Sequence, residues 1–209
     1  MTRIIITSRQ IRAILPFAAQ DPTRFHLNGI FVSERSGGLL VAIDGHTLIE
    51  VPVGCLDISG ASTRSIVAAP VFLRAAFLKA CADAAGIRGE VCVDRRGPDS
   101  VVGQAFPAKP KKCGPAPELP PAILASAFGD TIDPRSFPPW EQVVPHGRRI
   151  ERFAVSPEYF GRLDAVRKAC CASPSVSGVT LECAEGAGAT LWSLPGGIRC
   201  VIMTMSLPK

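Results

Sequence analysis

Few side chains in this sequence are placed to make or break a bond. The 3 histidines, His26, His46 and His146, lie far apart, and no motif links them to a nucleophile or a carboxylate pair. There is no G-x-x-x-x-G-K-S/T loop to cradle nucleotide phosphates and no H-E-x-x-H pair to hold zinc. The 8 cysteines stand at 55, 81, 92, 113, 170, 171, 183 and 200, with no C-x-x-C among them, so the common zinc spacing is missing too. Cys81 falls in a helical pattern and Cys92, Cys183 and Cys200 in strand patterns, where a free thiol acts as a small hydrophobe. Cys170 and Cys171 fall near a helix end, and a nucleophile there would need a basic partner that no motif supplies. Metal, cofactor and enzymatic chemistry are therefore not expected.

Recognition chemistry remains. His46 follows the Asp44-Gly45 turn on a strand edge; it could serve a ligand site or be only a polar hairpin residue. Met203 and Met205 alternate in "CVIMTMSL". They are either core or the walls of an adaptable cleft, because thioethers are flexible and polarisable. Trp140 in "PPWEQ" reads as an anchor packing a linker onto a domain. Seven basic residues, Arg9, Arg12, Arg74, Lys79, Arg162, Arg167 and Lys168, fall on expected helices and could meet phosphates or simply be solvated. Arg9 and Arg12 share a face, whereas Arg74 and Lys79 are about 140° apart on a helical wheel.

Three copies of one pattern must position these groups. Each has a short apolar strand, a helix and further strands. In "RIIITSRQIRAILPFAAQ", Thr7 or Ser8 caps a helix striped by Ile11, Ile14, Leu15 and Ala18, which Pro16 kinks or ends early. In "SIVAAPVFLRAAFLKACADAAG", Pro70 fits a first helical turn, Phe72, Leu73, Ala76, Phe77 and Ala80 face the core, and Gly86 ends the helix. In "RFAVSPEYFGRLDAVRKACC", Ser156 caps, Pro157 takes the first helical position, and Tyr159, Phe160, Leu163 and Val166 form the stripe. The first copy continues with Arg24–Ser33 extended, Gly38–Ile43, the turn, and Thr47–Val53. The second continues with Glu90–Asp94, Ser100–Phe106 and Ile123–Ile132, the third with Ser177–Glu182, Ala189–Ser193 and Ile198–Ser206. Pro107–Pro121 interrupts the second copy and reads as a long mobile loop carrying Lys109, Lys111 and Lys112. Pro145–Arg149 separates the second copy from the third.

With 209 residues, 47% hydrophobic and 20% charged, the chain can bury a real core. A net charge of +5 permits contact with nucleic acid without arguing for it. No apolar run reaches the roughly 18 residues of a membrane span, and Met1–Gln10 lacks a signal-peptide core, so a cytoplasmic location is expected.

"RFHLNGIFV" followed by "VAIDGHTL" resembles the R-Y-x-L-N-G and A-T-D-G-H-R-L pattern of the bacterial DNA polymerase III β subunit, the sliding clamp. "SFPPWEQVVP" is similar to the family's F-P-D-Y-x-x-V-x-P segment, and "CVIMTMSL" to its C-terminal V-V-M-P-M-R-L. Ile43, Thr47, Thr204 and Ser206 depart from those patterns. The resemblance implies an α+β DNA-clamp fold of three β-α-β-β-β modules with helices packed across antiparallel sheets. It implies a complete two-module domain at 1–145, like the family's middle domain, and a half domain at 146–209, like the second half of its last. It further implies a peptide-binding pocket from Leu27, Gly45, His46, Leu48, Pro138, Val143, Val201, Ile202, Met203 and Met205, serving a DNA polymerase and other proteins with clamp-binding motifs. The seven basic residues would then meet double-stranded DNA without reading its bases, in a salt-sensitive way.

The odd module count raises an assembly question. The third module could pair with its counterpart from a second chain across a twofold, a dimer being expected before a closed tetramer. Its stripe could instead pack on the first domain of its own chain. The rival functional reading is a soluble, non-ring clamp mimic of phage or mobile-element type that captures or competes for host replication proteins.

Overall fold

The computed structural model describes residues 2–53, 67–97, 100–106, 125–130, 133–145, 153–170, 178–183 and 188–205. The proline-rich stretch 107–121 with Lys109, Lys111 and Lys112, most of the 145–149 break, and His146, Cys55, Cys113 and Cys171 lie outside them. In the first repeat, β1 (Arg3–Thr7) passes directly into α1 (Ser8–Ile14). Thr7 is the N-cap: its hydroxyl accepts the Gln10 amide at 3.2 Å while the Gln10 side chain accepts the Thr7 amide at 2.9 Å. A 3-10 turn at Leu15–Phe17 follows, so Pro16 ends the α-helix early as expected. Then come β2 (Gly29–Ser33), β3 (Leu39–Ile43) and β4 (Thr47–Pro52). Gly45, at φ 94, turns the chain between β3 and β4.

The second repeat is β5 (Val71–Arg74), α2 (Ala75–Ala85), β6 (Glu90–Arg95), β7 (Ser100–Phe106) and β8 (Ala125–Asp130). The third is α3 (Glu158–Cys170), β9 (Thr180–Cys183), β10 (Ala189–Leu194) and β11 (Ile198–Met203). Among the described residues all pairings are antiparallel, in one sheet of order β1-β6-β7-β8 and one of order β5-β2-β3-β4-β11-β10-β9. The lead strands of the first two repeats are exchanged: β1 joins the second repeat's sheet and β5 joins the first's. The expected α+β architecture, helices across antiparallel sheets, is present.

Three expectations need correction. Pro70 does not open α2. Val71–Arg74 extends along β2, with Gly29 opposite Arg74, and the helix starts at Ala75. The Val-Phe-Leu run suits a strand; Phe72 and Leu73 reach the core from opposite faces of the sheet. With the helix starting later, its buried face is Phe77, Leu78, Cys81, Ala82 and Ala85, and Ala76 and Ala80 are exposed. Arg24–Ser33 is not extended throughout, because Asp21 and Pro22 start a 3-10 turn at Pro22–Arg24, with Asp21 accepting the Thr23 amide at 2.9 Å. The third repeat's stripe packs on the first repeat of its own chain, one of the two placements open to it, and the correction there concerns Phe160. β11 pairs with β4, Val201 opposite Leu48, and α3 packs on α1, so Leu163, Val166 and Cys170 join the main core. Phe160 leaves that stripe: it is exposed and meets the Trp192 ring edge-on at 5.4 Å.

The strand alternation sorts the seven-stranded sheet's residues between two layers. Ile30, Val32, Leu40, Ala42, Ile49, Val51, Cys200 and Ile202 face the helices in the main core. Phe31, Val41, Leu48 and Val201 face the other way and are covered by Phe137, Trp140 and Val144. Phe137 stacks on Phe31 with centroids 4.7 Å apart.

Candidate peptide-binding site

The second layer leaves a cleft where the first and third repeats meet. It has a volume of about 190 Å³. The turn supplies Gly45 and His46, β4 supplies Thr47 and Leu48, β11 supplies Val201 and Met203, and Ile43 closes one side. The segment that crosses the sheet supplies Pro138, Pro139, Trp140 and Val143. Each wall has a local cause. Asp44 Oδ1 accepts the His46 and Thr47 amides at 2.8 and 2.7 Å, which fixes the turn. The Met203 amide donates to the His46 carbonyl at 2.8 Å, which holds the end of β11 against the turn. Trp140 begins a 3-10 turn, Trp140–Val143, and its ring lies 5.3 Å from Phe31.

Seven of the ten expected peptide-contact residues line this cleft: Gly45, His46, Leu48, Pro138, Val143, Val201 and Met203. Three do not. Leu27 is buried in the apolar cluster that also holds Leu48, Val201 and Trp140. Ile202 is fully buried in the main core, because it alternates with Val201 and points to the opposite face. Met205 lies past β11, 56% exposed, its amide bonded to the Ala154 carbonyl. Sequence reasoning missed Ile43, Thr47, Pro139 and Trp140 as lining residues. Trp140 does anchor its segment, as expected, and it is a cleft wall as well.

It also missed Glu50. This carboxylate is 2% exposed in a strand otherwise facing two apolar layers. Its Oε1 accepts the Trp140 indole N–H at 2.7 Å, and its Oε2 accepts Arg199 Nε at 2.7 Å. Arg35 lies 5.7 Å from the centroid of the Trp140 ring and pairs with Glu141. The lone acid in "TLIEVP" was the visible signal, since a buried carboxylate needs partners.

The basic residues divide. Arg162 reaches Asp44 at 2.8 Å and the Pro16 carbonyl at 2.9 Å, so it ties α3 to the first repeat. Arg167 and Lys168 both pair with Asp164, and hydrogen bonds from the two hold its carboxyl below the usual range, Lys168 contributing most. Arg12 bridges to Asp83 on α2 at 2.6 Å. Arg9, Arg74 and Lys79 are exposed and form no ion pair among the described residues. No group of three or more potential metal ligands occurs among the described residues. Among them, too, no helix is long and apolar enough to cross a membrane.

No protein-family model and no curated protein sequence matches the chain. Solved structures do. The DNA polymerase III subunit beta of Borrelia burgdorferi, in complex with a natural product, superposes with a TM-score of 0.58 at 12% identity, covering 100% of this chain and 65% of that one. The same subunit of Pseudomonas aeruginosa gives 0.55 at 15%, covering 99% and 66%. The sliding clamp of Bartonella birtlesii bound to griselimycin gives 0.55 at 14%, covering 99% and 66%. The fold is that of a sliding clamp. At these identities the likeness fixes the clamp fold alone, and the chain spans about two thirds of those clamps' length.

Proposed function

We propose that this chain is a non-catalytic, clamp-type platform whose cleft binds the clamp-binding peptides of a DNA polymerase and of other replication or repair proteins. The observation that supports this reading is the apolar cleft itself, built from three segments distant in sequence and lined by a methionine, a tryptophan and two prolines. Its walls suit leucine or phenylalanine anchors. Gly45 and His46 of the turn line it beside these apolar walls, where a peptide backbone would need orienting. Residues 1–145 would form one complete clamp-type domain and 146–209 half of another, in the cytoplasm beside the replication machinery. Arg9, Arg74 and Lys79 would supply the contacts to duplex DNA, and the exposed aromatic face of the third repeat would pair two copies about a twofold.

Fluorescence anisotropy of a labelled clamp-binding peptide tests the cleft. Val143 and Met203 are 51% and 41% exposed, so Val143→Asp and Met203→Ala should spare the fold. Each is expected to weaken binding about tenfold, the loss typical of a central apolar anchor. Equal binding by parent and variants, or none by the parent, would refute the reading.

A further inference from the structure

Two buried or half-buried acids of the first repeat do the same thing in two places. Asp44 gives Oδ1 to the backbone of the cleft's turn, at His46 and Thr47, and Oδ2 to Arg162 of α3 at 2.8 Å. Glu50 gives Oε1 to the cleft's tryptophan wall and Oε2 to Arg199 of β11, at 2.7 Å from Nε and 2.6 Å from Nη2. In each case one oxygen holds a cleft element and the other holds an arginine of the third repeat. Neither arginine lines the cleft. Charge-assisted bonds of this kind are strong and geometrically demanding. A carboxylate that loses its arginine turns toward water, and its grip on the other partner loosens.

We infer that Asp44 and Glu50 are positioning residues that couple the seating of the third repeat to the shape of the cleft, so that cleft affinity depends on Arg162 and Arg199, which do not touch the peptide. The affinity half of this inference rests on the function proposed above; the coupling half does not. Residues of one such network are energetically linked, whereas equally buried pairs elsewhere are not. Arg3 and Asp94 provide the comparison. They form a bidentate pair at 2.6 and 3.0 Å, with Asp94 3% exposed, in the four-stranded sheet away from the cleft.

The test uses a Trp192→Phe background. The sequence has 2 tryptophans, so Trp140 is then the only one. Acrylamide quenching of Trp140, in the absence of peptide, is measured alongside peptide affinity, at a temperature where circular dichroism shows every variant folded. Arg199→Met should raise the quenching constant about twofold and weaken the peptide about fivefold, a coupling in the range of contacting residues. Arg162→Met should weaken the peptide with Trp140 quenching unchanged, because it acts through the turn. Arg3→Met should change neither, although it lowers stability. Unchanged quenching in a folded Arg199→Met, or an equal change in Arg3→Met, overturns the coupling. If Arg199→Met does not fold, Glu50→Gln decides, since it keeps an acceptor for the indole and drops the charge that holds Arg199: raised quenching supports the coupling and unchanged quenching overturns it. If neither the unmodified protein nor the Trp192→Phe background binds peptide, the proposed function fails and the quenching comparison alone still decides the coupling.

Discussion

Cys81 is 3% exposed in the main core, and burial pushes its thiol from 9.0 up to about 11. A pKa raised in the folded state favours the neutral thiol there. Its contribution to stability is full below pH 9, the unfolded value, and is lost as pH rises towards 11. Urea unfolding between those limits should therefore show a steeper fall in the parent than in Cys81→Ala. Parallel pH slopes would show that the thiol is not held neutral. The burial of Cys81 was legible from the helical pattern around it. Glu50 was not legible in the same way. Its charge within "TLIEVP" stood out, but its partners Trp140 and Arg199 are 90 and 149 positions away, and no local pattern joins them.

At the scale of elements, apolar periodicity located most of the described strands and the three described α-helices, and turn chemistry placed the β3–β4 hairpin. The errors came where two signals competed. Pro70 is a good helix opener, but the β-prone Val71–Leu73 beside it found an open edge on β2, and sheet pairing won. The α3 stripe was read correctly at Leu163 and Val166 and wrongly at Phe160, because periodicity does not say which surface a helix will meet. That surface is α1 and the main core. Leu163 is 1% exposed, so Leu163→Ala should cost about 2–5 kcal/mol in urea unfolding, the range for buried leucine truncation. Phe160→Ala should cost far less. Similar losses for the two would contradict the docking of α3 on α1.

At the scale of the molecule, the threefold repeat and the clamp resemblance were legible from "LNG", "DGH" and the C-terminal methionines, while the joining of the third repeat to the first through β4 and β11 was not. That seam depends on strands about 150 residues apart in the chain, whose register no local pattern sets. It removes one open edge from the third repeat and leaves β9 at the edge of the sheet, beside the aromatic contacts of Trp192 with Phe153 and Phe160. If that face pairs two copies, sedimentation should give a mass that climbs towards twice the monomer with concentration, and Phe160→Asp should abolish the rise. A constant monomer mass would end the dimer proposal without touching the cleft. The cleft itself is tested most directly by methyl resonances. The sequence has 3 methionines, Met1, Met203 and Met205, and of the two among the described residues Met203 lines the cleft and Met205 does not. In protein labelled with ¹³C at the methionine methyl groups, and assigned through Met203→Leu, titration with a clamp-binding peptide should shift the Met203 signal saturably, with Met205 moving less. An unmoved Met203 signal under peptide concentrations that saturate anisotropy would contradict the account.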